Sequence, residues 1–265
     1  RDSMACLHGH EGVVRLLLAH DKTDVNQATT ISDGFAPLHI ACQNGHEGVI
    51  RLLLAHNETN VNIASSYEEF TPLFIACDSG HKGVVRMLLA HNNTDVNKAV
   101  PYNTGYGNLF YGMNPLMLAC KIRNIGLVRL LLDHDKIDVN QGDANLDDED
   151  AAPPLLTACM KGNEEVVRVL LEHEEIDVNK MTTDNGRTSL FIACENGHKG
   201  VVRLLLEHDN IDVNKVTTDN GRTSLFIACQ NGHKEVVRLL LEHDNIDVSK
   251  VTTDNGRTSL FIACD

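Results

Sequence analysis

Apolar residues recur along this chain at the spacing of short amphipathic helices. A clear example is the segment 201–208, which reads V-V-R-L-L-L-E-H. Val201, Leu204 and Leu205 lie three and four residues apart, so they share one face of a helix. The pattern predicts a helix with one buried face and one solvated face, and similar segments follow at intervals along the chain.

A shorter apolar segment precedes each amphipathic one. Residues 190–194 read L-F-I-A-C and leave no polar side chain to face solvent, which predicts a buried helix. Thr188 is suited to cap its N-terminus, and Gly197 is suited to the left-handed conformation that commonly ends a helix. The preceding T-T-D-N-G-R contains Asn185-Gly186, a pair typical of tight turns. We call this turn segment a finger, and the predicted unit is helix, turn, helix, finger.

The unit is repeated at a nearly constant spacing. Successive cysteines at its equivalent position are separated by 36, 35, 43, 39, 35, 35 and 35 residues. They are Cys6, Cys42, Cys77, Cys120, Cys159, Cys194, Cys229 and Cys264. A period of this size indicates a stack of supersecondary units, in which each neighbour covers the apolar face of the next.

The repeated unit resembles the ankyrin repeat. The first helix begins A-P-L-H-I-A-C at 36–42, T-P-L-F-I-A-C at 71–77 and T-S-L-F-I-A-C at 188–194. The turn between the helices reads N-G-H at 44–46 and at 196–198. The resemblance covers essentially the whole chain. It implies an all-α ankyrin-repeat solenoid of stacked helix-turn-helix units with β-hairpin-like fingers.

We expect a single solenoid over residues 1–265, with seven to eight units including truncated ends. The expected units are 1–33, 34–68, 69–111, 112–150, 151–185, 186–220, 221–255 and a partial unit at 256–265. Because the chain begins and stops inside a unit, we expect it to be a segment of a longer protein.

Two features depart from the family pattern. The regular period is 35 residues, against about 33 in the family. The histidine of the family's T-P-L-H start occurs only as His39. Its place is taken by Phe74, Met117, Leu156, Phe191, Phe226 and Phe261. We therefore expect apolar packing to replace a polar network at most helix starts.

Charge and apolar content exclude two classes of partner for this segment. The chain carries 37 acidic and 23 basic residues, a formal net charge of −14, which argues against binding to nucleic acid. Its apolar runs fall short of the ~18 to 20 residues that span a bilayer. We expect neither nucleic acid nor membrane as a partner.

The regular cysteines and histidines do not indicate disulfides or a metal site. Equivalent positions in stacked helices lie ~8–10 Å apart. A disulfide needs Cα atoms ~4.4–6.8 Å apart, and zinc needs ligands within ~2.1 Å. We expect buried thiols, an intracellular and cytoplasmic location, and no metal or cofactor. The histidines near the ends of the second helices are expected to meet the negative end of the helix dipole.

No catalytic constellation occurs in the sequence, so we predict no catalytic residue and no enzyme within this segment. The predicted function is a protein-protein interaction scaffold that binds a protein partner through its concave face and long fingers. The alternative is a regulatory or targeting segment of a larger enzyme or channel, whose active region lies outside this chain.

Two fingers are longer than the rest, and they carry the predicted partner-binding residues. The finger at 98–114 contributes aromatic side chains in a glycine-rich loop, a composition typical of recognition surfaces. The finger at 141–152 contributes acids, which favour a basic partner. The predicted residues are Tyr102, Tyr106, Phe110, Tyr111, Asp147, Asp148 and Asp150. The alternatives are that the aromatic side chains fold back on the stack and that the acids form a solvated flap.

The resemblance also implies a modification site. Ankyrin repeats commonly serve as substrates of an asparaginyl hydroxylase at the asparagine of the D-V-N segment. The matching residues here are Asn26, Asn97, Asn140, Asn179 and Asn214, while Ser249 breaks the pattern.

Overall fold

The computed structural model describes residues 2–29, 34–101, 110–142 and 152–264. In these ranges the chain is helical and forms no sheet, which confirms the predicted all-α class. The helices are α1 (Asp2–Leu7), α2 (Glu11–Leu18), α3 (Pro37–Asn44), α4 (Glu47–Leu54), α5 (Pro72–Asp78), α6 (Lys82–Leu89), α7 (Pro115–Lys121), α8 (Ile125–Leu132), α9 (Pro154–Met160), α10 (Glu164–Leu171), α11 (Ser189–Glu195), α12 (Lys199–Leu206), α13 (Ser224–Gln230), α14 (Lys234–Leu241) and α15 (Ser259–Ile262).

The chain divides into two compact parts, Arg1–Ile137 and Asp138–Asp265, each of which contains several repeats. We call these parts unit 1 and unit 2, and we call the helix-turn-helix segments repeats. In unit 1 the first helices α1, α3, α5 and α7 pack in succession, and so do the second helices α2, α4, α6 and α8. Unit 2 repeats the arrangement with α9, α11, α13 and α15 in one row and α10, α12 and α14 in the other. Each unit is therefore a stack of helix pairs.

The division of burial between the two helices follows the sequence pattern. Every residue of 190–194 in α11 is buried, as expected for a helix with no polar face. In α12, Val201, Leu204 and Leu205 are buried while Arg203 faces solvent. The first helix is thus enclosed between its neighbours and the second helix forms the outer surface.

The helix starts and ends use the predicted residues. The hydroxyl of Thr188 accepts a hydrogen bond from the Phe191 N–H at 3.2 Å, which satisfies one of the unpaired donors of the first turn. Gly197, with φ +69°, follows the end of α11. The same left-handed position is filled by Gly9, Gly45, Gly80, Gly162 and Gly232, and by Arg123 with φ +57°.

Three fingers of unit 2 are closed by single antiparallel bridges rather than by ladders. The bridges join Met181 to Thr188, Val216 to Thr223 and Val251 to Thr258. In the first finger, Gly186 takes the positive φ expected of the Asn-Gly turn, at +70°, whereas Asn185 does not. The Thr182 hydroxyl accepts the Arg187 N–H at 2.9 Å and supports the turn from inside.

His39 is buried at the start of α3, and its hydrogen bonds to the backbone fix its tautomer. The Ala36 N–H donates to Nδ1 at 3.0 Å, and Nε2–H donates to the carbonyls of Ile63 and Phe70 at 3.0 Å each. A proton on Nδ1 would displace the Ala36 donor. Burial lowers the pKa of His39 to about 4, and the two carbonyl contacts oppose this shift.

The equivalent of His39 in the next repeat is apolar, as the sequence predicts. Phe74 stacks on Phe70 with ring centroids 4.9 Å apart, and its backbone N–H is accepted by the Thr71 hydroxyl. The polar network of one repeat is thus replaced by aromatic packing and a hydroxyl cap in its neighbour.

We expect His39 to make unit 1 sensitive to mild acid. Its folded pKa of about 4 lies below the ordinary 6.5, so the unfolded chain binds the proton more readily. The stability contribution is complete above about pH 6.5 and is lost as pH falls toward 4, by about 2 kcal/mol between pH 7 and 5. The measurement is urea unfolding at both pH values, comparing wild type with His39→Phe. The other histidines are common to both proteins, so an equal loss of stability in the two would contradict this assignment.

We expect Gly80→Ala to destabilise unit 1 by about 1 kcal/mol, because a side chain at positive φ strains the backbone. Gly80 has φ +74°, and an added Cβ would meet no atom within 4 Å, so strain is the main effect. The matched control is Gly12→Ala in α2, where the added Cβ is equally unobstructed but the backbone is helical. That control should raise stability by up to about 1 kcal/mol. Changes of the same sign in urea unfolding would refute the strain argument.

Candidate interaction surface

Two of the seven predicted partner-binding residues lie in the described ranges. Phe110 packs edge-on against Phe70 and Phe74, with ring centroids 5.7 and 5.6 Å away. The ammonium of Lys121 lies 5.6 Å from the centroid of the Phe110 ring. Tyr111 is half-buried beside it. Tyr102, Tyr106, Asp147, Asp148 and Asp150 lie outside the described residues.

The contacts of Phe110 match the alternative in which an aromatic side chain of the long finger folds back on the stack. Three phenylalanine rings within 6 Å of one another form an aromatic cluster at the base of this finger. Edge-to-face pairs of this kind contribute about 0.5–1.5 kcal/mol beyond their buried area. We therefore assign Phe110 a packing role in unit 1, and recognition by the other six residues stays a prediction.

The asparagine of the D-V-N segment joins each repeat to the next. The Nδ2–H of Asn179 donates to the carbonyl of Asn210 at 2.6 Å, and its Oδ1 accepts the Asp212 N–H at 2.8 Å. Its own backbone N–H donates to the Asp177 carboxylate at 3.0 Å. Both ends of the amide are thus committed to the following repeat. The same pair of side-chain bonds is made by Asn26, Asn62, Asn140 and Asn214.

This amide joint gives the D-V-N segment a structural role. The aspartate orients the asparagine by accepting its backbone N–H, and the asparagine satisfies a donor and an acceptor in the corresponding segment of the next repeat. The segment Asn60-Val61-Asn62 shows that asparagine serves in place of the aspartate, since Asn60 Oδ1 accepts the Asn62 N–H at 3.1 Å. Hydroxylation at the five predicted asparagines remains a prediction.

A second polar joint is made by the histidines of the turn between the helices. The Nε2–H of His198 donates to the Met160 carbonyl at 3.1 Å, near the end of the preceding first helix. His46, His81 and His233 make the equivalent bond to Leu7, Gln43 and Glu195. Each of these histidines therefore ties its turn to the repeat before it, whereas each asparagine ties its segment to the repeat after it.

The histidines near the ends of the second helices have a local partner instead. In His208, Nδ1 accepts the backbone N–H of Asn210 at 3.3 Å. The same contact is made by His20, His56, His91, His134, His173 and His243. Nδ1 accepts this bond when the ring proton is on Nε2. The contact gives these histidines a local structural role in addition to the expected interaction with the helix dipole. Across the described part of the chain, no three His, Cys, Asp or Glu side chains are grouped to hold a metal ion.

The cysteines are present as thiols, and no disulfide links any of them. Six are buried, while Cys229 is half-buried and Cys264 is exposed. Burial raises the pKa of the Cys77, Cys120 and Cys194 thiols well above their ordinary value, which keeps them protonated and unreactive. They serve as small packing residues of the first helix.

In five repeats the base of the finger contacts the first helix through a residue pair that differs between the two units. In unit 1 the pairs are Phe35 with His39, whose rings lie 5.4 Å apart, and Phe70 with Phe74. In unit 2 an arginine takes the finger position and lies over a phenylalanine. The pairs are Arg187–Phe191, Arg222–Phe226 and Arg257–Phe261, with the guanidinium 5.5, 5.5 and 5.0 Å from the ring centroid.

The finger tips of unit 2 form a polar surface with fixed spacing. The Thr218 N–H donates to the carbonyl of Asn185 at 2.8 Å, and the Thr253 N–H donates to that of Asn220 at 2.9 Å. These backbone bonds hold consecutive fingers side by side. The aspartates of the three tips, Asp184, Asp219 and Asp254, are exposed. The fingers thus present acids at their tips and arginines at their base.

Sequence reasoning identified the D-V-N asparagines only through the family resemblance, and it left the finger arginines out of the candidate site. The signal for both was the exact repetition of T-T-D-N-G-R and D-V-N in successive repeats. Repetition alone does not tell whether a residue joins repeats or faces a partner. The hydrogen bonds make that distinction.

None of the helices in the described ranges combines the length and apolar character needed to cross a bilayer. Their longest members have eight residues.

Comparison with known proteins agrees with the geometry. The family profile described as "Ankyrin repeats (3 copies)" matches residues 3–100, 140–217 and 210–265, and a profile described as "Ankyrin repeat" matches 111–144. No curated protein matched the sequence.

Solved structures resemble the fold over most of its length. The ankyrin repeat domain of Bcl-3, described as a unique member of the IkappaB protein family, is 26% identical with a TM-score of 0.72. The match covers 88% of this chain and 95% of that domain. The human ASB11 ankyrin repeat domain is 24% identical with a TM-score of 0.62, covering 86% and 92%. Because the family profiles match most of the sequence and the fold agrees, the chain belongs to the ankyrin-repeat family.

Proposed function

We propose that this chain is a protein-protein interaction scaffold, and that it holds a protein partner on the side formed by its fingers and first helices. Ankyrin repeats are generally protein-interaction modules, which supports the class of function. The observation that carries the proposal is the ordered finger surface of unit 2, where backbone bonds between fingers fix the spacing of exposed polar groups. A surface that is already ordered loses little entropy on binding, so more of the contact energy becomes affinity.

We assign the second helices and the polar joints to the scaffold rather than to recognition. The joint asparagines and turn histidines bind neighbouring repeats, and the thiols are mostly buried and protonated. This leaves no group in the described residues prepared as a nucleophile or general base, so we propose no catalytic role for this segment. The buried thiols support an intracellular, cytoplasmic setting.

The net charge supports a partner of opposite overall sign. With a formal charge of −14, the chain attracts a basic protein at long range and raises its association rate at low salt. The acids of the 141–152 finger would add to this attraction. Specificity is proposed to lie in the two long fingers, because the regular repeats offer the same residues again and again.

We expect the double variant Tyr102→Ser/Tyr106→Ser to bind the native partner at least tenfold more weakly, about 1.4 kcal/mol, with an unchanged melting temperature. The partner would be captured with the immobilised chain, identified, and its affinity measured by calorimetry. Phe110→Ala is the contrasting variant. Since its ring packs on Phe70 and Phe74, it should lower the stability of unit 1 by at least about 1 kcal/mol.

Full binding by the tyrosine double variant would contradict this prediction and show that the regular repeats, rather than the long finger, bind the partner. A matched control is Met181→Val, which converts the finger 181–187 to the sequence already present at 216–222 and should leave binding unchanged.

We expect an asparaginyl hydroxylase to add one oxygen atom at Asn26, Asn97, Asn140, Asn179 or Asn214, as the family resemblance implies. Because the amides of these residues bind the next repeat, the reaction should be faster in urea concentrations that loosen the stack without inactivating the enzyme. Peptide mass spectrometry after incubation with the enzyme and its cosubstrates is the measurement. The peptide containing Ser249 is the internal negative control, and unmodified peptides at all five sites would refute the prediction.

A further inference from the structure

Two consecutive repeats of unit 2 are nearly identical in sequence, so their few differences can be compared in the same structural context. Residues 181–215 and 216–250 differ at only four positions. These are Met181/Val216, Glu195/Gln230, Gly200/Glu235 and Asn214/Ser249. The second of these differences replaces a carboxylate by an amide next to the finger arginine, and it changes the charge of that site.

In the first of the two repeats the arginine is neutralised. Arg187 lies over the Phe191 ring, and its Nη1–H donates to Glu195 Oε2 at 3.1 Å. The two charged side chains are 31% and 28% exposed, so the ion pair is partly shielded from water. A carboxylate in this environment binds the guanidinium more strongly than it would on an open surface.

In the second repeat the same guanidinium has lost its carboxylate. Arg222 lies 5.5 Å from the Phe226 centroid, the same distance as in its twin, but Gln230 occupies the place of the glutamate. Among the described residues, no carboxylate comes within ion-pairing distance of Arg222, and its buried Nε has no hydrogen-bond acceptor. A half-buried guanidinium without a counterion gains more from a carboxylate than a fully exposed one does.

Three carboxylates of these two repeats are engaged elsewhere. The Asp219 carboxylate on the same finger accepts from the backbone and the side chain of Asn220. Glu235 pairs with Lys199 and Arg238 on the second helices. Glu195 pairs with Arg187. Asp219, Glu235 and Glu195 therefore have partners of their own.

We propose that Arg222 is a recognition site for a carboxylate side chain of the protein partner. Phe226 supports one face of the planar guanidinium, so its edge is oriented to make charge-assisted hydrogen bonds. In the neighbouring repeat, Glu195 shows where a carboxylate lies when it binds the equivalent arginine, Arg187. The inference rests on the proposed scaffold function and names one chemical group of the partner. A partner that is basic overall is compatible with this proposal, because it needs only one acidic side chain at the position that contacts Arg222.

The test follows the guanidinium N–H signals of Arg222 and Arg187 by NMR in the full chain. The probes are an oligoglutamate peptide and the matching oligoglutamine peptide, at constant ionic strength. We expect Arg222 to shift saturably with oligoglutamate and at least tenfold more weakly with oligoglutamine. Arg187 should not respond. An equal response of Arg222 to inorganic phosphate at matched charge would reduce the site to general anion attraction and overturn the proposal.

The reciprocal variants exchange the two sites. Gln230→Glu should supply the missing carboxylate within the chain and weaken the Arg222 response at least tenfold. Glu195→Gln should free Arg187 and create a new response there. Arg222→Lys retains the charge without the planar fork and should also bind oligoglutamate at least tenfold more weakly. The first two changes bring in a residue that the twin repeat already carries, so the fold should be retained, and circular dichroism checks this.

Two outcomes separate this inference from the proposed function. If wild type and Gln230→Glu respond to oligoglutamate alike, the carboxylate site is wrong, while capture of a partner by both would leave the scaffold function standing. If Arg222 responds as expected but no protein is captured by the full chain, the site is supported as a carboxylate receptor and the proposed scaffold function fails.

Discussion

Burial of the first helix between its neighbours is the constraint on which the rest of each unit depends. A helix such as α11, apolar at every position of 190–194, is stable in water only when a helix packs on either side of it. Dispersion and apolar burial supply the attraction, but they do not fix the register of one repeat on the next. That register is set by directional bonds: asparagine amides bind the following repeat and, where the turn carries a histidine such as His198, its ring binds the preceding repeat.

The polar joints also explain why so much of the sequence repeats. An asparagine that must accept one backbone N–H and donate to one backbone carbonyl cannot be replaced by a residue with only one of these functions. At Ser249 the shorter hydroxyl side chain donates to Asp247 of its own repeat instead. Positions free of the joints vary more: the finger base changes from Phe35 in unit 1 to Arg187 in unit 2.

Local departures from the repeat have different energetic consequences. His39 is tolerated because three backbone groups satisfy both of its ring nitrogens, while burial lowers its pKa to about 4 in the folded state. Arg123 occupies a left-handed position that its equivalents fill with glycine, which costs about 1–2 kcal/mol for an L-residue. Arg222 differs from both: it keeps the stacking geometry of its twin and lacks only the carboxylate. The first two departures are accommodated within the fold, whereas the third leaves a cation that a partner can satisfy.

The sequence by itself determined the helix pairs, the caps at residues such as Thr188, the left-handed turn at Gly197 and the all-α class. These depend on interactions within about ten residues, which periodicity and residue type report directly. The tertiary structure alone decided what the joint asparagines and the turn histidines do, because their partners lie 31 to 39 residues away in a neighbouring repeat. It showed Phe110 packed in unit 1, Asn179 bonded at both ends of its amide, and Arg222 without the carboxylate that Arg187 has. A repeating sequence specifies which residues recur, and only their placement across the stack distinguishes a joint from a surface.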